Sequence, residues 1–219
     1  MALRKPIVRH LLVILIIFIV LTIFRLLWLA YFTPSNNQPL AQAGVLDMRQ
    51  QTLTEDEIYQ INGEWLYYPE VLLKTPNSNQ TSSSIEQTVR KIPMQRGSAT
   101  KQHFGTYRVK ILLSANAHSN HRYAIRVPAI STASALYING KLAGQSGVVS
   151  SNPSTHKGQA APYTIYFTAE QSEIDVILHV SNFDTPSNMV IDKRLSFSSA
   201  SAMMHHQFIT QLSLVAISM

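Results

Sequence analysis

Trp65 and Tyr107 are the side chains in this sequence best suited to recognition. An aromatic face packs against the apolar face of a sugar, and such rings are common in ligand pockets. Each sits in a strand-like run, where core packing is the commoner role of an aromatic. Asn182 ends another such run and has the side chain of a turn former, with ligand contact as its secondary role. These three are the candidate ligand-binding residues. No catalytic set emerges beside them. Carboxylates cluster early (Asp47, Glu55, Asp56, Glu57, Glu64, Glu70) and late (Glu170, Glu173, Asp175, Asp184, Asp192), but no strand-end motif marks a facing pair of the kind glycoside hydrolysis needs. There is no Gly-x-Ser-x-Gly elbow and no glycine-rich phosphate loop. His205 and His206 are adjacent, so on a helix they point about 100° apart. His118 and His121 lie in a polar loop without a nearby carboxylate. A metal ion wants three or four convergent ligands, so no metal site is expected. With no cysteine, the chain has no thiol nucleophile, disulfide or thiolate-held metal. The expectation is a binding protein without a cofactor, and not an enzyme.

Something must hold these residues, and composition indicates where. Charged residues are 14% of the 219-residue chain, against roughly 25% in soluble domains. The apolar excess is concentrated in Leu11–Phe32, where Arg25 is the one charged residue. As a helix this segment covers about 33 Å, close to the ~30 Å of bilayer hydrocarbon. Arg25 lies near the outer end, where a long side chain snorkels. Trp28, Tyr31 and Phe32 follow as an interfacial belt, and Pro34 ends the helix. Arg4, Lys5 and Arg9 precede it, which places the N-terminus inside and the rest outside a bacterial inner membrane. The same basic start followed by Leu11–Phe24 also fits a signal peptide, with Ala41-Gln42-Ala43 as a small-residue cleavage site. That site lies far beyond the apolar run, which favours an uncleaved anchor. The formal charge of +6 has no basic stripe with interleaved aromatics, so nucleic acid is not an expected partner.

Beyond the anchor the texture changes to short runs rich in aromatic and β-branched residues. Phe104–Leu113, Arg122–Val127, Ala135–Asn139, Lys141–Gly144, Pro162–Thr168, Ile174–Val180 and Arg194–Phe197 read as strands. Asn139-Gly140 between two of them predicts a type I′ hairpin turn. Thr54 with Glu57 forms a capping-box pattern and predicts a short helical turn over Thr54–Gln60. Lys74–Thr88, rich in Asn, Ser, Thr and Gln, reads as an exposed loop. Regular short strands with turn signals predict a mainly β protein, a jelly-roll β-sandwich behind an N-terminal transmembrane helix. Phe208–Met219 is apolar again, and reads either as a terminal helix covering the sheet or as the start of a second membrane helix.

Several motifs recur in a familiar order: Val45-Leu46-Asp47-Met48-Arg49, Asn62-Gly63-Glu64-Trp65 with Tyr67-Tyr68-Pro69, Phe104-Gly105-Thr106-Tyr107-Arg108, Pro128-Ala129-Ile130-Ser131-Thr132-Ala133, Leu136-Tyr137-Ile138-Asn139-Gly140 and Val180-Ser181-Asn182-Phe183. Together they resemble the extracytoplasmic galactose-binding-like jelly roll of bacterial seven-transmembrane receptors with diverse intracellular signalling modules. The Gly-Thr-Tyr-Arg and Tyr-Ile-Asn-Gly signals are also similar to those in the sugar-binding domain of β-galactosidases and β-glucuronidases. The resemblance implies a sensory domain over residues 44–199. It is preceded by a cytoplasmic stretch (1–10), a membrane helix (11–32) and a linker (33–43), and followed by a C-terminal segment (200–219). It also implies kinase or cyclase output modules in relatives, of which this sequence carries no motif. Expected partners are the lipid bilayer, an unidentified small-molecule, carbohydrate or protein ligand, and a second copy in a homodimer. A cell-surface carbohydrate-binding module and a structural docking domain are the alternatives.

Overall fold

The computed structural model describes residues 4–32, 38–54, 57–73, 86–94, 102–114, 121–130, 132–184 and 191–217. The chain divides into two units, Met1–Gln38 and Pro39–Met219. The first is one helix, α1 (Arg4–Phe32). Its stretch Val8–Leu27 has a mean hydropathy of 2.8, and none of it is buried against protein. The belt expected at Trp28, Tyr31 and Phe32, and the stop at Pro34, lie outside the residues whose side chains are described.

The second unit is a β-sandwich. Its strands are β1 (Val45–Asp47), β2 (Ile58–Gln60), β3 (Gly63–Pro69), β4 (Thr88–Ile92), β5 (Phe104–Leu112), β6 (Arg122–Val127), β7 (Ala133–Ile138), β8 (Lys141–Ser146), β9 (Tyr163–Thr168), β10 (Glu173–Ser181) and β11 (Ser196–Ser199), followed by helix α2 (Ala200–Ile217). One sheet runs β4-β3-β5-β10-β7-β8, with β1 added parallel to the end of β5; the other runs β2-β11-β6-β9. From β5 onward the chain passes repeatedly between the two sheets, the crossing pattern of a jelly roll.

Alternation decides which side chains meet. Tyr107, Val109 and Ile111 of β5 and Ile174, Val176, Leu178 and Val180 of β10 point inward, and meet Tyr123, Ile125 and Val127 of β6 and Phe197 of β11 in one core. Small residues on the outer face of the second sheet, Ala124 and Ser198, are also fully buried. Here α2 packs against β6 and β11 through Ala200, Ala202 and Met203. The helix is capped by Ser199, whose Oγ accepts the Ala202 N–H at 3.1 Å. It is held further along by Gln207, whose Nε2 donates to Thr164 Oγ1 at 2.7 Å. Past that bond Phe208, Ile209 and Leu212 are exposed, so α2 covers the sheet with its first two turns and not with its whole length.

Three local expectations change. Ile58–Gln60 is strand β2, paired with β11, where a helical turn was expected; residues 55 and 56 lie outside the described set. Tertiary pairing overrides the capping pattern here, because Tyr59 belongs to the core. The tail of the expected linker is part of the body. Ala41 is buried, its N–H donates to Asn62 O at 2.7 Å, and it accepts from Glu64 N at 2.7 Å. The last strand sits slightly later than expected, at Ser196–Ser199. Most of the Lys74–Thr88 loop lies outside the described residues, while Thr88 itself opens β4.

The hairpin turn takes the form its residues demand: Asn139 and Gly140 both have positive φ, at 48° and 78°. Gly63 has φ +111°, and an added Cβ would lie 2.3 Å from the Ala41 carbonyl oxygen. Gly63→Ala is therefore expected to cost roughly 1–3 kcal/mol, read as a lowered denaturant midpoint of the detergent-solubilised protein. An unchanged midpoint would mean that the Ala41 segment is not held as described.

Candidate ligand-binding site

Strand β10 is buried on its outer face as well, together with Thr106 of β5, which forces polar side chains there to find partners. Thr106 Oγ1 donates to Val71 O at 2.6 Å and accepts from Leu73 N at 3.2 Å. His179 Nε2 donates to Leu73 O at 2.9 Å, and its ring lies 4.7 Å from that of Tyr137. Residues 71–73 thus strap across the sheet. Burial pushes the His179 imidazole below its ordinary value, an effect partly countered by the carbonyl it bonds.

Farther along the same face, Arg108 grips Asp175 with two bonds, Nε to Oδ1 at 2.7 Å and Nη2 to Oδ2 at 3.3 Å. Asp175 is 7% exposed, and the Asn139 side chain accepts its backbone N–H at 2.8 Å. The hairpin turn thereby fixes the start of β10. Lys110 pairs with Glu173 at 2.6 Å. The Asp175 carboxylate and the Arg108 side chain stabilise each other, and their hydrogen bonds help raise the guanidinium further despite its partial burial.

These side chains form one wall of a half-open cavity of about 680 Å³, lined further by Ile138, Lys141 and Ala143 of the hairpin and by Phe167, Thr168, Glu170 and Gln171. Its size falls within the range of small-molecule sites, roughly 300–1,000 Å³. Three cations and three carboxylates line it, so its formal charge is zero. Arg108–Asp175 and Lys110–Glu173 are ion pairs, the lining groups together offer both donors and acceptors, and Phe167, Ile138 and Ala143 supply apolar surface. This arrangement suits a ligand that is polar and uncharged overall, with hydroxyls on one side and C–H surface on another.

The residues singled out from the sequence lie elsewhere. Trp65 is 1% and Tyr107 0% exposed. Trp65 Nε1 donates to Ile61 O at 3.3 Å, and Tyr107 packs on Tyr67 with ring centroids 4.7 Å apart. Burial raises the Tyr107 hydroxyl above its ordinary value. Stacking on a sugar requires an open ring face, and neither ring has one; both are core residues. Asn182 is buried too, its backbone N–H donating to His103 O at 2.7 Å and its carbonyl accepting from His103 Nδ1 at 3.2 Å. These bonds run through its backbone and tie it to a residue 79 positions away. The structure brings none of the three into the cavity.

A second cluster was not legible in the sequence. His156 Nε2 lies 3.0 Å from Asp184 Oδ2, and His156 Nδ1 lies 2.9 Å from Ser181 Oγ, which also accepts the Ser150 N–H at 3.2 Å. Serine, histidine and aspartate stand in the order of a hydrolytic triad, but with the roles of the two ring nitrogens exchanged and with Ser181 fully buried. The cluster clamps the loop after β8 onto the end of β10. Its members are separated by 25 and 28 positions, so no local motif announces them. Among the described residues no group of three or more His, Asp or Glu side chains gathers in a metal-binding arrangement.

No protein-family model and no curated protein matches the sequence. Solved structures do resemble it. The D341A D367A calcium-binding mutant of Bacteroides uniformis β-glucuronidase 2 matches over 65% of this chain and 18% of its own, with 16% identity and a TM-score of 0.47. A putative β-galactosidase from Bacteroides fragilis matches over 65% and 23%, with 17% identity and a TM-score of 0.46. The GH2 β-galacturonidase from Eisenbergiella tayi bound to galacturonate matches over 69% and 26%, with 9% identity and a TM-score of 0.43. The chain thus spans about a quarter or less of each of these proteins.

Two outcomes follow from the outer face. Arg108→Ala leaves a nearly buried carboxylate unpaired and is expected to cost about 2–3 kcal/mol, read by denaturant unfolding. That is below the roughly 3–5 of a fully buried pair, because the Arg108 side chain is 21% exposed. His179 supplies stability that is complete above its unfolded pKa, about 6.5. That contribution is lost as pH falls toward the depressed folded value, since the unfolded chain then binds the extra proton. Melting profiles between pH 8 and pH 5 should therefore fall less steeply for His179→Gln than for the parent protein. Parallel profiles would remove His179 from the account.

Proposed function

We propose that this chain is a membrane-anchored, extracytoplasmic ligand-binding domain of a bacterial signal-transduction protein, of the seven-transmembrane receptor type its motifs resemble. In this reading α1 is the uncleaved anchor with its basic N-terminus inside, the β-body lies outside, and the cavity beside the β7–β8 hairpin receives the ligand. The protein binds and does not catalyse. The observation that carries the reading is the contrast between the two units. The Val8–Leu27 helix has hydropathy 2.8 and no protein against it, whereas the body beyond it has a well-packed core and a mixed polar cavity. A helix of this length and hydropathy matches the hydrocarbon thickness of a bilayer and satisfies its own backbone there. The apolar residues exposed on α2 past Gln207 agree with a second membrane contact there.

The cavity itself favours one alternative, a cell-surface carbohydrate-binding module. Carboxylates, amides and a guanidinium beside an aromatic ring are the groups that bond vicinal hydroxyls while packing a sugar's C–H face. Both readings predict the same ligand site and differ in what binding does afterwards.

Protease treatment of intact spheroplasts, followed by thermal melts of the detergent-solubilised protein against a panel of sugars and small polar metabolites, tests the reading. The body should be cleaved from outside, and one ligand class should raise the melting temperature. At a ligand concentration of about 100 Kd the stabilisation is about 2.7 kcal/mol. Phe167→Ala or Asn139→Ala should abolish that shift. A body protected from external protease, or a chain recovered from cytosol, overturns the proposal.

A further inference from the structure

One strand touches both the cavity and helix α2. On its inner face β9 carries Phe167, which lines the cavity and packs on Tyr123 with centroids 6.1 Å apart. Tyr123 in turn stacks on Phe197 at 5.5 Å and 20° between planes. Phe197 belongs to β11, whose last residue, Ser199, caps α2. On its outer face the same strand carries Thr164, whose hydroxyl receives the Gln207 amide of α2 at 2.7 Å and Arg126 Nη1 at 3.4 Å. Two physical routes therefore run from the cavity wall to the first two turns of α2, one through stacked rings and one through the strand itself.

The packing makes these routes stiff. Tyr123 and Phe197 are 1% and 0% exposed, so a shift of either ring is felt by its neighbours, although Tyr123 and Ser199 also border a smaller cavity of about 320 Å³. Phe167 is the half-buried member of the trio, with one side in the core and the other toward the cavity. Displacing it obliges its neighbours to repack. Among the described contacts, α2 is held by three buried side chains, the Ser199 cap and the Gln207 amide bond, all within its first two turns. The exposed side chains at Phe208, Ile209 and Leu212 leave the following turn without such cover, and elements with so little cover open more readily than core strands.

We infer that Phe167 couples occupancy of the cavity to the grip of the β-body on α2, acting as a positioning residue through Tyr123, Phe197 and the Thr164–Gln207 bond. A ligand that packs on Phe167 stabilises one arrangement of these rings, and the first two turns of α2 are held more tightly in that arrangement. Coupling of this kind is reciprocal, so loosening α2 weakens the ligand by the same factor. The inference rests on reading the cavity as the ligand site, but its central element is testable without any ligand.

Amide hydrogen exchange on the full chain in detergent provides the test, comparing the parent protein with Phe167→Leu, Thr164→Val and Leu142→Ala. Leu142 is exposed on β8 and belongs to neither route. In Phe167→Leu the amides of Met204–Gln207 should lose protection about tenfold while those of Val176–Val180 change less than about twofold. Thr164→Val should loosen the same helical amides, and combining it with Phe167→Leu should give less than the product of the single effects. Leu142→Ala should leave α2 unchanged. Unchanged protection at Met204–Gln207 in Phe167→Leu overturns the inference. So does a uniform loss that includes β10, a strictly multiplicative double variant, or an equal effect from Leu142→Ala. If the exchange result holds and no compound ever shifts the melting temperature, the coupling stands and the ligand-site reading falls.

Discussion

Burial of β10 on both faces is the constraint around which the body is organised. The nine residues of β10, Glu173–Ser181, pair with β5 along their whole length, and all but the first are buried. Where this face is covered, at Thr106, Asp175 and His179, outward polar side chains have little water to satisfy them. Thr106 and His179 are answered by the carbonyls of residues 71–73, and Asp175 by Arg108 and the Asn139 turn. Each partner costs conformational freedom to fix, which is why the strap and the hairpin turn are tied so closely to the central strands.

The cavity is a by-product of the same requirement. Where the cover over the sheet ends, the paired charges of Arg108, Lys110, Glu173 and Asp175 stand at a rim between the hairpin and the end of β9. These four charges neutralise one another in pairs, and Lys141 and Glu170 balance in formal charge beside them. In the proposed ligand-site reading, selection therefore comes from hydrogen-bond geometry and from the shape around Phe167. That separates the cavity from the cluster of His156, Ser181 and Asp184, in which both ring nitrogens of a buried histidine are spent on fastening a loop.

The strands were legible wherever β-branched and aromatic residues were dense. β6 and β9 lie where their runs predict, and β7–β8 closes on the Asn139-Gly140 turn because both residues accept positive φ. β2 was misread because Thr54 and Glu57 form a local helical signal, which pairing with β11 outweighs. β1 is three residues long and is defined by its partner Lys110–Leu112, so it has no signature of its own. Candidate ligand residues fared differently for one reason. Trp65 and Tyr107 were singled out for what an aromatic can do, whereas their role follows from the face of the strand they occupy.

By itself the sequence determined the apolar helix, the β character of the remainder and the hairpin, since each depends on residue type within a short window: a continuous greasy run, alternating branched residues, a pair tolerant of left-handed backbone. Only the tertiary structure decided which aromatics are core, which charges pair across strands and where a cavity opens. Those facts depend on contacts between residues such as Arg108 and Asp175, 67 positions apart, and proximity over that distance is set by how two sheets close on one another.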